Sequence, residues 1–382
     1  MEAKKAERAR KIVLCAGFVC CIFFSRYCIG GTVFVAERGL HRINAYPFDG
    51  QTFSQPTVID YGHDEFIRPA DLVYGLGPID LAVDEAHNVL FVSFESRSSS
   101  GEQMATPHIL LIHSRTLEVL NTIQISQARD IGGLYYHPAK GKLYGIERNS
   151  NRICQMGWNP QKQTLVFEQV LFLPNSQNAC ALVMAGDRAF VSEFTYGETM
   201  EYSDHIKEYN AAGGGSWSYV RTIPMGAETT CLAYDPYRKI FYSGAYDYYN
   251  TYHSFAKHLT EPNDSIRVKD IGHNVTDADV DKSSGYVFTT GYLGEGWPGP
   301  DGVLEIWDTS GWTEDPEQEV TPLDSTTASL AGPAGVLYIK DNPLPQNLRI
   351  LKVDDVNDDP NFITCILPGE DLTYTIFVDP NN

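Results

Sequence analysis

The sequence IDLAVDEAHNVLFVSF, residues 79–94, contains two short apolar strands separated by a polar turn. After a long polar loop, HILLIH (108–113) and VLNTIQI (119–125) supply two further strands. Four short strands joined by turns predict one antiparallel meander. Similar units recur about every 50 residues, a period typical of propellers and other repeat arrays.

The second strand of each unit carries an aromatic residue at the same point, which sets the register of the repeats. A ring in every copy suits radial packing, because large side chains fill the gap between neighbouring twisted sheets. We therefore interpret these rings as core residues. The positions are Phe34, Phe91, Tyr144, Phe190, Phe241, Phe288 and Tyr338.

The repeats predict an all-β fold, a β-propeller of four-stranded antiparallel blades. Radial closure buries both faces of each sheet and leaves only short edges. The first copy lacks its innermost strand and the last copy is incomplete, which fits a blade shared by the two chain ends. The markers favour seven blades. Six is the alternative, if residues 326–331 complete the first copy and the segment around Tyr338 is surplus.

Two strand–turn–strand segments carry a family resemblance. ERGLHRI (37–43) and KLYGIERNSNRI (142–153) resemble motifs of the NHL, YWTD and YVTN propellers, which usually have Asp where Glu37 and Glu147 stand. The resemblance extends as a pattern over residues 32–345. It implies a module that binds proteins, peptides or glycans, since a minority of these propellers are enzymes.

Composition narrows the classes of partner. The chain has 382 residues, 43% hydrophobic, and a formal net charge of −20. This acidity argues against nucleic acid, because binding phosphate needs a basic surface. Basic residues in 4–11 and the apolar run 12–24 predict a signal peptide over residues 1–30, cleaved near Gly30. An uncleaved anchor or a buried strand is the alternative. Cleavage implies secretion or surface display, without a membrane segment afterwards.

Four of the eight cysteines lie in the predicted signal peptide. Of the others, Cys180 and Cys231 occupy the same place in neighbouring repeats, so we interpret both as small buried residues. Export would permit a disulfide. The chain has no C-x-x-C motif, so a structural zinc site is not predicted.

The C-terminal segment changes character. We expect the propeller at 31–345 and an incomplete Ig-like domain at 346–382, because PGEDLTYTI (368–376) resembles the opening of Ig-like conserved repeats of bacterial surface proteins. About 35 residues are too few for a sandwich core, so the domain is expected to continue. An acidic cluster here predicts either a calcium site outside the EF-hand pattern or a solvated turn. Its candidate ligands are Asp354, Asp355, Asn357 and Asp359.

Long loops between second and third strands form the main candidate binding surface. In a propeller these loops share one face with the links between blades, and we call this the long-loop face. Long loops are commonly functional, and exposed Tyr and Trp mark binding surfaces. The alternative is that the rings pack the loops against one another. The predicted ligand-binding residues are Tyr196, Tyr246, Tyr248, Tyr249, Tyr252 and Trp297.

An enzyme is the less favoured interpretation, and no catalytic residue is predicted. The sequence lacks G-x-S-x-G, H-E-x-x-H and P-loop motifs. Asp80, Asp277 and Asp279 lie on innermost strands, with Glu95 and Glu193 near the channel mouth. They either serve a metal-dependent, lactonase-like hydrolase or are turn caps and solvated acids. We therefore predict a monomeric binding or adhesion propeller that recognises a glycan, peptide or protein, with no cofactor unless calcium binds.

Overall fold

The computed structural model describes residues 30–59, 61, 77–94, 96, 106–147, 150–176, 178–193, 205–213, 215–225, 229–244, 254–259, 265–293, 301–315, 317–326, 330, 333–340, 362–366 and 373–377. By its internal contacts the chain forms two compact units, residues 1–344 and 345–382. Within the described ranges, no helix is long and apolar enough to cross a membrane.

The first unit is a β-propeller, and its described strands form six four-stranded antiparallel blades. In five blades the four strands follow one another along the chain, from the channel outwards. Blade 2 contains β4 (Pro78–Asp84), β5 (Val89–Phe94), β6 (His108–His113) and β7 (Val119–Gln124). Blade 3 contains β8 (Gly133–His137), β9 (Lys142–Glu147), β10 (Arg152–Asn159) and β11 (Thr164–Phe172). Blade 4 contains β12 (Ala179–Ala185), β13 (Arg188–Glu193), β14 (His205–Asn210) and β15 (Ser218–Pro224). Blade 5 contains β16 (Ala233–Asp235), β17 (Ile240–Gly244), β18 (Ser254–Leu259) and β19 (Ser265–Asp270). Blade 6 contains β20 (Asn274–Val280), β21 (Val287–Leu293), β22 (Asp301–Trp307) and β23 (Asp324–Thr326).

Blade 1 joins the two ends of the propeller. Its outer strands are β1 (Gly31–Glu37), β2 (Arg42–Phe48) and β3 (Thr57–Ile59), and its innermost strand is β24 (Pro333–Lys340). β24 pairs antiparallel with β1, and Leu337 lies opposite Phe34. The expectation of a blade shared by the chain ends is confirmed.

The prediction of seven blades is wrong. Tyr338 lies on β24, an innermost strand, and its ring stacks on Phe288 with centroids 4.6 Å apart. The six-blade alternative chose the wrong closing segment, since Asp324–Thr326 forms the outermost strand of blade 6. First and second strands are both short and apolar, so an aromatic alone does not distinguish them.

The core lies between blades. Six hydrophobic clusters of described residues occupy the gaps between neighbouring blades around the ring. The six remaining aromatic markers lie on second strands and are at most 3% exposed. Phe91, for example, packs edge-on against Trp158 of the next blade at 5.0 Å. The interpretation of these rings as core is confirmed.

Turns between first and second strands are fixed by local chemistry. Short 3-10 turns at Glu85–His87 and Pro138–Lys140 end at Asn88 and Gly141, which have φ angles of 54° and 58°. Asn and Gly tolerate this left-handed conformation better than most residues. In blade 5, Asp235 accepts hydrogen bonds from two N–H groups of its own turn. The first strands are thereby held in place around the channel.

The second unit contains one described hairpin, β25 (Phe362–Ile366) and β26 (Thr373–Phe377), paired antiparallel. Its assignment to an Ig-like repeat stays a prediction. Among the described cysteines of the propeller, Cys231 is buried, Cys180 is half-buried, and both are free thiols.

Candidate functional site

Asp80 is the first of the predicted channel carboxylates. A β-bulge between Pro78 and Asp80 shifts the pairing with β5, and bulges re-aim side chains. Its Oδ1 accepts a hydrogen bond from the N–H of Leu81 at 2.7 Å, and its Oδ2 accepts one from the N–H of Leu134 at 2.6 Å. Because Leu134 lies on β8, this carboxylate joins the first strand of blade 2 to that of blade 3.

Asp277 and Asp279 act in the same way between blades 6 and 1. Asp277 also follows a bulge, and its Oδ2 accepts a hydrogen bond from the N–H of Val336 at 2.7 Å. The Oδ2 of Asp279 accepts from the N–H of Tyr338 at 2.8 Å. Both donors lie on β24. These two carboxylates therefore hold the strand that closes the ring.

The three channel acids interact electrostatically. Burial raises the pKa of Asp80 to about 7, with a further rise from Asp279, against two backbone hydrogen bonds. Burial raises the pKa of Asp277 well above its ordinary value, and repulsion from Asp80 adds to this. Burial likewise raises the pKa of Asp279, opposed by its bond to Tyr338 and by Lys282. The sequence correctly placed these acids together, although their backbone bonds were not foreseen.

The glutamate of the first family-like motif is a buried structural group. Glu37 ends β1, is fully buried, and forms an ion pair with Arg42 and a 2.8 Å hydrogen bond with the side-chain amide of Asn44. Burial raises the pKa of Glu37 to about 7, although Arg42 favours its charged form. Arg42 lies directly opposite on β2, so the motif forms a cross-strand pair.

The same pairing recurs in the next motif and in blade 4. Glu147 faces Arg152 across the strands, with an Nη1–Oε2 distance of 3.1 Å. Glu193, predicted near the channel mouth, pairs with Lys207 of β14 at 2.6 Å. In all three blades a glutamate at the end of the second strand forms an ion pair with a cation on the third strand.

The described ends of the first long loop are packed against neighbouring side chains. The first long loop leaves β5 at Phe94 and enters β6 at His108, and these two rings stack with centroids 4.7 Å apart. Tyr61 packs edge-on against Phe94 at 5.4 Å. In the same loop, the hydroxyl of Ser96 donates to the carboxylate of Asp130 at 2.7 Å. This loop of the long-loop face therefore starts from a packed base.

The predicted binding residues lie outside the described parts of the chain. This holds for Glu95 and for the four candidate calcium ligands as well. Their roles stay predictions. Among the described residues, no group of three or more His, Cys, Asp and Glu side chains is arranged to hold a metal ion. The binding residues concerned are Tyr196, Tyr246, Tyr248, Tyr249, Tyr252 and Trp297.

A second set of contacts between blades, at the rim, was missed in the sequence. The segment 308–323 joins β22 to β23 and lies against blade 5. Lys257 donates to the carbonyl oxygen of Thr309 at 2.6 Å, and burial lowers the pKa of Lys257 to about 8. Arg267 and Lys269 donate to further carbonyls of this segment, those of Trp312 and Asp315. We call residues 308–323 the rim segment.

Trp312 anchors the rim segment through packing. It is 4% exposed and contacts Phe255 and Trp307 edge-on, with centroids 6.0 and 6.1 Å away. In the sequence, Arg267 and Lys269 alternate with apolar residues, a pattern usually typical of a solvated strand face. In the structure both cations instead donate hydrogen bonds to backbone carbonyls of the rim segment.

Comparison with known proteins supports the fold alone. No protein family matches the sequence, and no curated protein is similar to it. A chain of a nidogen/laminin complex is similar in structure, with 12% identity, a TM-score of 0.56, and coverage of 81% of this chain and 98% of that chain. Proposed 6-phosphogluconolactonases of Bacteroides fragilis and Bacteroides uniformis are similar at 10% and 12% identity, with TM-scores of 0.52 and 0.50. Each likeness covers 81% of this chain. It covers 98% of the Bacteroides fragilis protein and 99% of the Bacteroides uniformis protein. These neighbours are β-propellers.

Proposed function

We propose that this propeller is a secreted or cell-surface binding module that recognises a glycan, a peptide or another protein through its long-loop face. The observation that carries the proposal is that the channel acids already accept hydrogen bonds from the backbone. Both oxygens of Asp80 accept backbone N–H groups, and Asp277 and Asp279 each accept one from β24. Their positions are therefore explained by the joining of blades, without an acid–base role in hydrolysis.

The base of the long-loop face supports the same proposal. The packed ends of the first long loop reduce the entropy that is lost when a partner binds, so this loop can present its polar side chains at lower cost. The neighbour in the nidogen/laminin complex has this fold within a protein–protein complex. At 12% identity, that likeness concerns the fold and leaves the partner of this chain open.

The test is binding of the full chain to glycan and peptide arrays, with Tyr248→Ala and Trp297→Ala variants beside the parent. Tyr237→Ala is the matched control, because Tyr237 is 78% exposed in the β16–β17 turn, on the opposite face. We expect each loop variant to lose about tenfold or more in affinity, the loss typical of a hot-spot ring. The control should bind like the parent. If the loop variants also bind like the parent, the proposal that the long-loop face binds the partner is wrong.

A metal-dependent, lactonase-like hydrolase is the alternative function. The observation in its favour is the electrostatic interaction of Asp80, Asp277 and Asp279 in the channel, although these described acids are not arranged to hold a metal ion. Hydrolysis of lactones by the full chain, measured with and without added divalent metal, tests it. Metal-dependent turnover that is lost in Asp277→Asn would favour the hydrolase over the binding module.

A further inference from the structure

The strand that closes the ring is held by two acids spaced two residues apart. Asp277 and Asp279 lie on β20, and their partners, the N–H groups of Val336 and Tyr338, are also two residues apart on β24. Side chains two residues apart in a strand share a face. The two carboxylates therefore form a short ladder against the backbone of β24, in addition to the pairing of β24 with β1.

This ladder is specific to one junction between blades. Aligning the blades by their aromatic markers places Asp80 and Asp277 at one repeat position, and Asp80 makes the equivalent bond from blade 2 to blade 3. The other blades have residues without an ionisable side chain there. They are Gly133, Ala181, Leu232 and Gly335.

The surroundings of the ladder are mainly acidic. Asp80 faces Asp277 from β4, and the thiol of Cys231 lies near Asp277. Glu85 and Lys282, from two turns, act on Asp279 with opposite signs. All three channel acids have raised pKa values, that of Asp80 near 7. Ionisation of all three would gather negative charges in one channel and increase their mutual repulsion.

We propose that Asp277 and Asp279 form a pH-sensitive latch on β24, the last strand of the propeller, which holds this strand firmly in acid and loosens it in alkali. A raised pKa means that the folded ring favours the protonated carboxyl over the ionised one. The stability contributed by these groups is full below the ordinary aspartate pKa and is lost as the pH rises through the raised values. When β24 moves away from β20, water reaches the ionised carboxylates and hydrates them, which removes the cost of their burial. The latch is independent of the ligand of the long-loop face.

Hydrogen exchange of the full chain, followed by mass spectrometry, tests the latch. Peptides covering residues 333–340 are compared with those covering β12, an innermost strand whose equivalent position holds Ala181. After correction for the intrinsic effect of pH, we expect protection of β24 to fall about tenfold relative to β12 between about pH 4 and about pH 8, a range that starts at the ordinary aspartate pKa. Equal changes in both strands would overturn the proposal, whether or not any variant folds.

The double variant Asp277→Asn, Asp279→Asn sharpens the test, because amide oxygens still accept the two N–H groups but carry no charge. We expect the pH-dependent difference between β24 and β12 to shrink to less than about threefold in this variant. Glu317→Gln is the matched control, an exposed acid of the same blade, and should behave like the parent. A double variant that keeps the parent's pH dependence would contradict the latch.

Discussion

At the channel, side-chain carboxylates accept hydrogen bonds from backbone N–H groups of the next blade. At the rim of blade 5, side-chain cations donate to backbone carbonyls of blade 6. Asp80 and Leu134 represent the first arrangement, and Lys257 and Thr309 the second. Both place an ionisable side chain against a backbone group of the neighbouring blade, whereas the β-ladders run within blades. Each bond therefore joins two blades where ladder pairing is missing.

The two arrangements differ in what they secure. The channel bonds between blades 6 and 1 hold the end of the chain's propeller unit, whereas the rim bonds hold a connection between consecutive strands. Their pH responses also have opposite signs, because a buried acid favours its protonated form and a buried lysine favours its deprotonated form. The comparison therefore predicts a ranked series of effects.

Removing β24 should have the largest effect. A chain that ends after Gly332 leaves β1 without its inner partner and removes the packing of β24 against blades 2 and 6. We therefore expect no cooperative thermal unfolding by circular dichroism. A chain that ends after Leu344, the limit of the first unit, should melt like the full chain. If the shorter chain melts at the same temperature as the longer one, β24 does not close the ring.

Trp312→Ala should give the next largest effect, at the rim. Loss of a buried indole from a packed site costs about 3–5 kcal/mol in the free energy of unfolding. Urea denaturation measures it, with Leu323→Ala as the control. Leu323 lies in the same segment and is 49% exposed, so its replacement should change stability by no more than about 0.5 kcal/mol. Similar losses in the two variants would show that the rim segment does not depend on Trp312.

Asp80→Asn tests the direction in which the channel acids change the free energy of unfolding as pH rises. The fold raises the pKa of Asp80 to about 7, so its stabilising effect is lost as pH rises towards and past that value. We expect the parent's free energy of unfolding to fall relative to that of the variant by about 1–3 kcal/mol between about pH 4 and about pH 8. Urea denaturation across this range measures the difference. A difference that grows in the opposite direction would contradict the assignment.

Lys257→Met tests the opposite pH dependence of stability at the rim. We expect the smallest effect of the series here. The pKa of Lys257 is lowered to about 8 from 10.5, so its contribution is full above its ordinary pKa and is lost as pH falls through 8. Between about pH 8 and about pH 10 the parent should gain about 1 kcal/mol or less relative to the variant. Parallel pH profiles would mean that the rim cation is effectively solvated.

Much of the fold could be predicted because its signals are local. The short strands, their turns and the rings from Phe34 to Phe288 follow from residue order and period. The strand containing Tyr338 could not be placed, since its pattern of apolar residues suits a first or a second strand. Its position depends on which free edge the chain end meets, and that is a property of the whole ring.

The candidate site was predictable only in part. Asp80, Asp277 and Asp279 were correctly placed on innermost strands, but the bulges that aim Asp80 and Asp277 leave no clear mark in the sequence. Lys257 and the other rim cations bond to backbone carbonyls, and such partners have no residue type to search for. The ligand-binding residues of the long-loop face stay a prediction.

The central claim is that β24, the last strand of the propeller, forms the innermost strand of the first blade, and a designed disulfide tests it most directly. Val35 and Val336 are direct cross-strand partners in β1 and β24. Adjacent antiparallel strands bring such Cα atoms to about 4.5–5.5 Å, within the range of a disulfide. We predict that Val35→Cys with Val336→Cys forms this crosslink in the folded chain, identified by mass spectrometry of linked peptides, whereas Val35→Cys with Leu337→Cys does not. A crosslink in the second pair, or in neither, would contradict the closure described here.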